Sequence, residues 1–301
     1  MYTRMLIPLD GSKTAEKVLP YARFLAARLK LPLELLVVID LVEIAARMSP
    51  ERAQFFHTMA EKAVRSSEQY LKRVAATFPG ADVKCTVEKG RPADIIIEKA
   101  AADKETLISM ATHGHSGINR WLLGSVAEKV LRGATNPLLL VKAKEEAKTE
   151  GEATLRSVVV PLDGSELAET VLPTVAELAK RLNLEVVLFR AYTIPYTAYV
   201  PLEGFAPPVD QELIQAFRDE VTAYLEKRTE AMRQMGVDKV SYTAKEGFAA
   251  DEIISLARKT PDNLIAMCTH GRSGVKRWVL GSVTETVVRH SGDPVLVIRA
   301  T

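Results

Sequence analysis

A chain of 301 residues, 47% apolar and 26% charged, has the make-up of an ordinary globular protein and the length of about two domains. Its 40 basic and 38 acidic side chains leave a net charge of +2, which excludes the cationic footprint of a nucleic-acid or anionic-membrane binder. Two cysteines, Cys85 and Cys268, exclude a disulfide framework and a zinc ligand set.

From the start, Met1-Tyr2-Thr3-Arg4 leads into an apolar run that meets Pro8 and Asp10 at once, too short for a signal-peptide core. No later run approaches the roughly 20 apolar residues of a membrane helix, so the expectation is a cytoplasmic protein. The run itself, Met5-Leu6-Ile7-Pro8-Leu9-Asp10-Gly11-Ser12, returns as Val158-Val159-Val160-Pro161-Leu162-Asp163-Gly164-Ser165. A second stretch, Thr112-His113-Gly114-His115-Ser116-Gly117 running on to Trp121 and Gly124-Ser125, returns as Thr269-His270-Gly271-Arg272-Ser273-Gly274 running on to Trp278 and Gly281-Ser282. The spacing between copies is nearly constant, so the chain is two copies of one domain and not a short-period solenoid.

In the first copy, short β-branched runs predict strands at 4–9, 33–39, 82–87, 106–111 and 137–141. Between them, apolar steps of three and four predict helices at 15–29, 50–78, 92–104 and 125–133. The charged stretch 144–154 reads as a solvated linker between domains at 1–143 and 155–301. The second copy repeats the strands at 157–162, 185–191, 239–244, 263–268 and 294–298. It adds a Pro- and Tyr-rich insertion, 192–209, that cannot be a regular helix and reads as a surface loop or a lid. Alternation of strand and helix predicts an α/β fold with parallel sheets, whose ligands sit at the carboxyl ends of the strands.

Two places on that edge carry chemistry. Asp10 and Asp163 end the first strand of each copy, where a carboxylate can accept hydrogen bonds from ribose hydroxyls or a base amino group. The plainer alternative is that Asp or Ser caps the next helix. After the fourth strand, Gly114, Gly117 and Gly124 in one copy, and Gly271, Gly274 and Gly281 in the other, let backbone N–H groups approach an anion at a helix start. Ser125 and Ser282 can add a hydroxyl there, or can serve as caps, since both fit the S-x-x-E capping box. His113 and His270 read as packing residues, and Trp121 and Trp278 as loop anchors. A P-loop, a GxGxxG fingerprint and a nucleophile–base–acid set are all absent, so the expectation is a protein that is not an enzyme.

These paired motifs resemble the universal stress protein family, and each half resembles one domain of a tandem member. That family's nucleotide-binding branch carries G-x2-G-x9-G-(S/T), which Gly114 with Gly124-Ser125 and Gly271 with Gly281-Ser282 match except at the first glycine. Ala111 and Cys268 stand there, and their methyl and thiol would crowd a nucleotide, the thiol more, which favours the first half as the binding half. The resemblance implies an adenine nucleotide alpha hydrolase-like fold: two tandem, doubly wound, five-stranded parallel sheets of strand order 3-2-1-4-5. It implies pairing of the two domains through their last strands, 138–141 with 295–298, and possible further association as a homodimer. As ligand it implies ATP, or AMP or ADP, with Mg on the phosphates and no metal site in the protein itself. Asp10 and Asp163 would contact adenosine, Val38 and Ala191 would read adenine through the backbone, and Gly90 and Gly247 would line the cleft. The function implied is a stress-response switch set by nucleotide occupancy. The alternatives are a nucleotide-free interaction protein with an unidentified protein partner, or a slow ATPase using His115, Arg120 or Arg272.

Overall fold

Strand β1 (Arg4–Leu9) is buried from Met5 onward because helices cover both faces of the sheet. Strands β2 (Leu33–Ile39), β4 (Thr106–Ala111) and β5 (Leu138–Val141) share that environment, whereas β3 (Val83–Lys89) lies at an edge and has no fully buried residue. The second half repeats them as β6 (Ser157–Pro161), β7 (Glu185–Tyr192), β8 (Val240–Glu246), β9 (Asn263–Cys268) and β10 (Val295–Ile298). The computed structural model describes residues 1–46, 54–113, 123–142, 149–193, 211–269 and 280–299.

The helix predicted over 15–29 divides into a 3-10 turn, Ala15–Val18, and helix α1 (Leu19–Leu29). Pro20 explains the break, since a residue without an N–H belongs in the first turn of a helix. Helix α2 (Leu41–Ala46) was not anticipated; Asp40 nucleates it by accepting the N–H groups of Val42 and Glu43 at 2.9 and 3.1 Å. Helices α3 (Phe56–Ala75), α4 (Pro92–Ala101) and α5 (Ser125–Gly133) complete the first half. The second half carries α6 (Glu166–Glu169), α7 (Leu172–Leu182), α8 (Gln211–Gln234), α9 (Ala249–Lys259) and α10 (Ser282–His290). No helix among the described residues is long and apolar enough to cross a membrane. Of the insertion at 192–209, only Tyr192 and Thr193 lie within the described residues.

The side chains of each strand alternate between two apolar layers. Ile7, Leu35, Val160 and Leu188 face α1, α3, α7 and α8, while Leu6, Leu36, Val159 and Phe189 face α4, α5, α9 and α10. Buried charges on two strands, Glu34 on β2 and Arg190 on β7, depart from this pattern. Glu34 is buried inside β2 and is matched by Arg4 at 2.6 Å, the Thr86 hydroxyl at 2.8 Å and the ammonium groups of Lys84 and Lys99 at 3.7 Å. Burial alone would raise its pKa, but these partners hold the carboxyl below its ordinary value.

Strands run in the order β3-β2-β1-β4-β5-β10-β9-β6-β7-β8, so each half has the expected 3-2-1-4-5 order. The two five-stranded sheets are continuous, because β5 and β10 pair antiparallel with Leu138, Leu139 and Leu140 opposite Val297, Leu296 and Val295. Polar contacts repeat across this seam with pseudo-two-fold symmetry. Arg132 reaches Glu285 at 3.4 Å and Arg289 reaches Glu128 at 3.5 Å. Lys142 donates to the Arg289 carbonyl at 3.1 Å, and Arg299 donates to the carbonyls of Leu131 and Arg132 at 2.7 Å. The described part of the predicted linker is solvated but tethered to α1. Arg23 donates to the carbonyls of Thr149 and Gly151, and the Ala153 N–H donates to the Pro20 carbonyl.

Candidate functional site

In each half the described residues of the first motif, and those at either end of the second, lie at the carboxyl ends of the strands. Asp10 follows β1, and its Oδ1 accepts the Ser12 N–H at 2.9 Å and the Ser12 hydroxyl at 2.6 Å. Ser12 Oγ in turn accepts the Ala15 N–H at 3.0 Å, so the serine holds the next turn while the aspartate orients the serine. Asp163 and Ser165 repeat this at 2.9 and 2.6 Å, and Ser165 caps α6 through the Ala168 N–H. Gly11 and Gly164 have φ of +80° and +88°, the left-handed conformation that favours glycine between Asp and Ser.

Beyond β4, Thr112 takes two bonds that set the path of the chain. Its N–H donates to the Val141 carbonyl at 2.9 Å, and its carbonyl accepts the Gly124 N–H at 2.8 Å. A side chain at Gly124 would stand 3.1 Å from that carbonyl oxygen. Thr269, Ile298 and Gly281 reproduce both bonds at 2.9 and 2.8 Å. The N-caps of α5 and α10 are Gly124 and Gly281, with no side-chain capping bond. The capping-box alternative is therefore overturned: Ser125 and Ser282 are the first helical residues, and both are exposed. The first intrahelical bond of α5 is made by the Glu128 N–H, which leaves the N–H groups of Ser125, Val126 and Ala127 ahead of it, facing the carboxyl edge.

Gly90 and Gly247 lie at the same edge and donate to the Ile39 and Tyr192 carbonyls at 3.0 and 2.9 Å. Val38 and Ala191 are half-buried near the ends of β2 and β7 and turn their side chains toward the α4–α5 and α9–α10 layer. Ala111 and Cys268 are buried, each 5% exposed, and the Cys268 thiol lies 3.6 Å from the Thr170 hydroxyl at the end of α6. Gly114, Gly117, Gly271 and Gly274, with His115, Arg120, Trp121, His270, Arg272 and Trp278, lie outside the described residues.

His113 places Nδ1 3.0 Å from the Thr112 hydroxyl and buries Nε2 without a hydrogen-bond partner among the described residues. Burial, then the charge of Lys142, lowers its pKa, so the ring is neutral at neutral pH. That arrangement agrees with a packing residue.

The motifs did not reveal a polar cluster confined to the second half. Arg190, 7% exposed near the end of β7, lays its guanidinium over the Tyr224 ring at 4.8 Å. Tyr224 donates to Glu169 at 2.9 Å, and Glu169 pairs with Arg228 at 3.1 Å. The available signal was Arg190 directly after the apolar run Val186–Phe189, at the place of Val37 in the first half.

Comparison with known proteins agrees with this architecture. A family model described as the universal stress protein family matches residues 1–142 and again residues 154–299. A universal stress protein of Methanocaldococcus jannaschii is 32% identical over 152 residues, covering 50% of this chain and 85% of that protein. Universal stress protein E of Escherichia coli strain K12 is 24% identical over 99% of this chain and 94% of its own. The crystal structure of a universal stress protein from Archaeoglobus fulgidus superposes with a TM-score of 0.69 at 22% identity, over 100% of both chains, and shares the fold.

Proposed function

The chain belongs to the universal stress protein family, and from that premise we propose that it is a cytoplasmic stress-response switch that binds ATP, ADP or AMP. Its domains are 1–143 and 155–301, joined by 144–154, and the first is the principal nucleotide site. The observation that carries this reading is the helix start at Gly124-Ser125. There a glycine cap, an exposed hydroxyl that the helix does not use and three leading N–H groups face the edge that also bears Asp10. Phosphates would lie on that helix start, near Gly114 and Gly117, and adenosine beside Asp10, Val38 and Gly90. A divalent cation such as Mg, bound with the nucleotide, would neutralise phosphate charge. In the second half, Asp163, Ala191, Gly247, Gly271, Gly274, Gly281 and Ser282 offer the matching set, with the larger Cys268 in place of Ala111.

The test is the nucleotide content of freshly purified protein together with its thermal shift in Mg-ATP. About one adenine nucleotide per chain and a saturable rise in Tm are expected, because a ligand that binds only the folded state must stabilise it. Asp10→Ala should weaken the response at least ~10-fold, the worth of a charge-assisted hydrogen bond. Neither nucleotide nor thermal shift would leave the second reading, a nucleotide-free interaction protein, which the methyl and thiol of Ala111 and Cys268 favour. Hydrolysis, in either case, is at most slow.

A further inference from the structure

The helix pair α9–α10 repeats the pair α4–α5, but the residues between the helices differ. With Gly247 in register with Gly90, the residues Glu98, Ala101 and Ala102 become Ser255, Arg258 and Lys259, and Gly133 at the end of α5 becomes His290. In the first half a side chain beginning at Gly133 would stand 2.7 Å from Ile97 Cδ1, so Ile97 fills that space. In the second half the Cβ of His290 stands there, and Ile254, the counterpart of Ile97, cannot lie across the helix end in the same way.

Between α9 and α10 there is a surface cleft of about 420 Å³, lined by Asp251, Ile254, Ser255, Arg258, Lys259 and His290. That volume falls within the range of about 300–1,000 Å³ typical of small-molecule sites. Ile254 is buried and gives the cleft an apolar floor, while Arg258 and Lys259 are exposed. Arg258, Lys259, Asp251 and Ser255 form no ion pair or side-chain hydrogen bond among the described residues.

The lining groups are ordered along α9. Asp251, Ser255 and Arg258 recur at helical steps and share one face. From Asp251 to Arg258 the helix rises roughly 10 Å, too far for the two to pair. The two cations therefore stand at one end of the cleft and the carboxylate at the other. Because α9 runs back from the end of β8 toward the start of β9, the cationic end lies at the amino edge of the sheet. The carboxyl ends of α9 and α10 each add about half a negative charge there, which the two full charges of Arg258 and Lys259 outweigh.

We propose that this cleft binds a small phosphorylated polyol, with Arg258 and Lys259 on the phosphate and Ser255 and Asp251 on hydroxyl groups at the far end. A phosphate monoester carries about two negative charges at neutral pH, which matches two unpaired cations better than a carboxylate does. The site lies at the opposite edge from the helix start at Gly281-Ser282 and stands whether or not either half binds nucleotide.

The test is NMR of the full chain, following the Arg258 Nε–Hε and Ser255 backbone amide signals at constant ionic strength in chloride. Ribose 5-phosphate should move both signals saturably. Inorganic phosphate should move the Arg258 signal with an affinity roughly 10-fold weaker or less, since it makes none of the hydrogen bonds at the far end. Arg258→Ala combined with Lys259→Ala, which installs the first-half residues at two exposed positions, should weaken ribose 5-phosphate binding at least ~10-fold. His290→Gly, which restores the first-half contact to the isoleucine, should close the cleft and abolish binding. Signals that neither probe moves in the unmodified protein would overturn the proposal, and so would an affinity unchanged in the double alanine variant. Equal affinities for the two probes would overturn the assignment of Ser255 and Asp251 to hydroxyl groups.

Discussion

At the scale of single residues, His113 links the sequence motif to a measurable property. Its imidazole is held neutral by burial and by Lys142, so its folded pKa lies below that of the unfolded chain, about 6.5. The unfolded state therefore binds the proton first. Above about pH 7 both states are neutral and the residue contributes nothing to pH dependence; below about 6.5 proton uptake favours unfolding. Denaturant midpoints at about pH 7.5 and 5.5 should show an acid loss of stability that His113→Asn reduces, and an unchanged loss would count against a buried neutral ring. The two thiols make a second prediction, because Cys85 is exposed and Cys268 is buried against Thr170. Ellman's reagent should modify one thiol of the native chain, and Cys85→Ala should remove that reaction while leaving the slow thiol, which becomes reactive only in denaturant. Two fast thiols would show that the end of β9 is open.

At the scale of elements, repetition with one difference separates steric cost from conformational cost. Gly11→Ala meets no neighbour and bears only the cost of a positive φ, of the order of 1–2 kcal/mol. Gly164→Ala bears the same cost and also drives a methyl into the Arg190 guanidinium at 3.2 Å. Equilibrium unfolding should therefore rank Gly164→Ala as the more damaging, and equal losses would mean that Arg190 moves aside freely. The same pair shows what could be read in advance. Strands β1, β2, β4 and β9 were legible to the residue, since continuous apolar runs bounded by turn residues leave few alternatives. Helix α2 was not, because six residues started by one Asp40 side chain leave no periodicity to detect. The sequence left a capping role for Ser125 open because S-x-x-E fixes only spacing, whereas in the structure Gly124 occupies the cap and bonds to Thr112. Asp10 and the Gly124-Ser125 turn were legible as neighbours on one edge because both follow strands of a parallel sheet. Arg190 and Tyr224 were not, since residues on β7 and α8 meet only once α8 has folded back across the sheet.

At the scale of the molecule, the question is whether two homologous halves behave as one body. An isolated half would expose β5 or β10, strands without a polar side chain whose members are no more than 8% exposed in the intact chain. An uncovered apolar strand edge of that kind is a pairing site and not a stable surface. The ion pairs flanking the seam are partly exposed, so each contributes at most about 1 kcal/mol. Glu285→Gln, which removes contacts to both Arg132 and Arg289, should thus lower stability only slightly. Leu296→Asp is another matter: Leu296 pairs with Leu139 at the middle of the seam and is 2% exposed. An unpaired carboxylate there should cost several kcal/mol, about 3 or more, because burial of a charge without a partner exceeds the loss of the leucine contacts alone. Calorimetry should then show a single unfolding transition for the unmodified chain and for Glu285→Gln, with Leu296→Asp lowering Tm sharply and separating two transitions. Two transitions in the unmodified chain would mean that the halves are stable before they pair. The continuous sheet would then be a late docking of finished domains, and a ligand bound in one half would have no packed strand through which to stabilise the other.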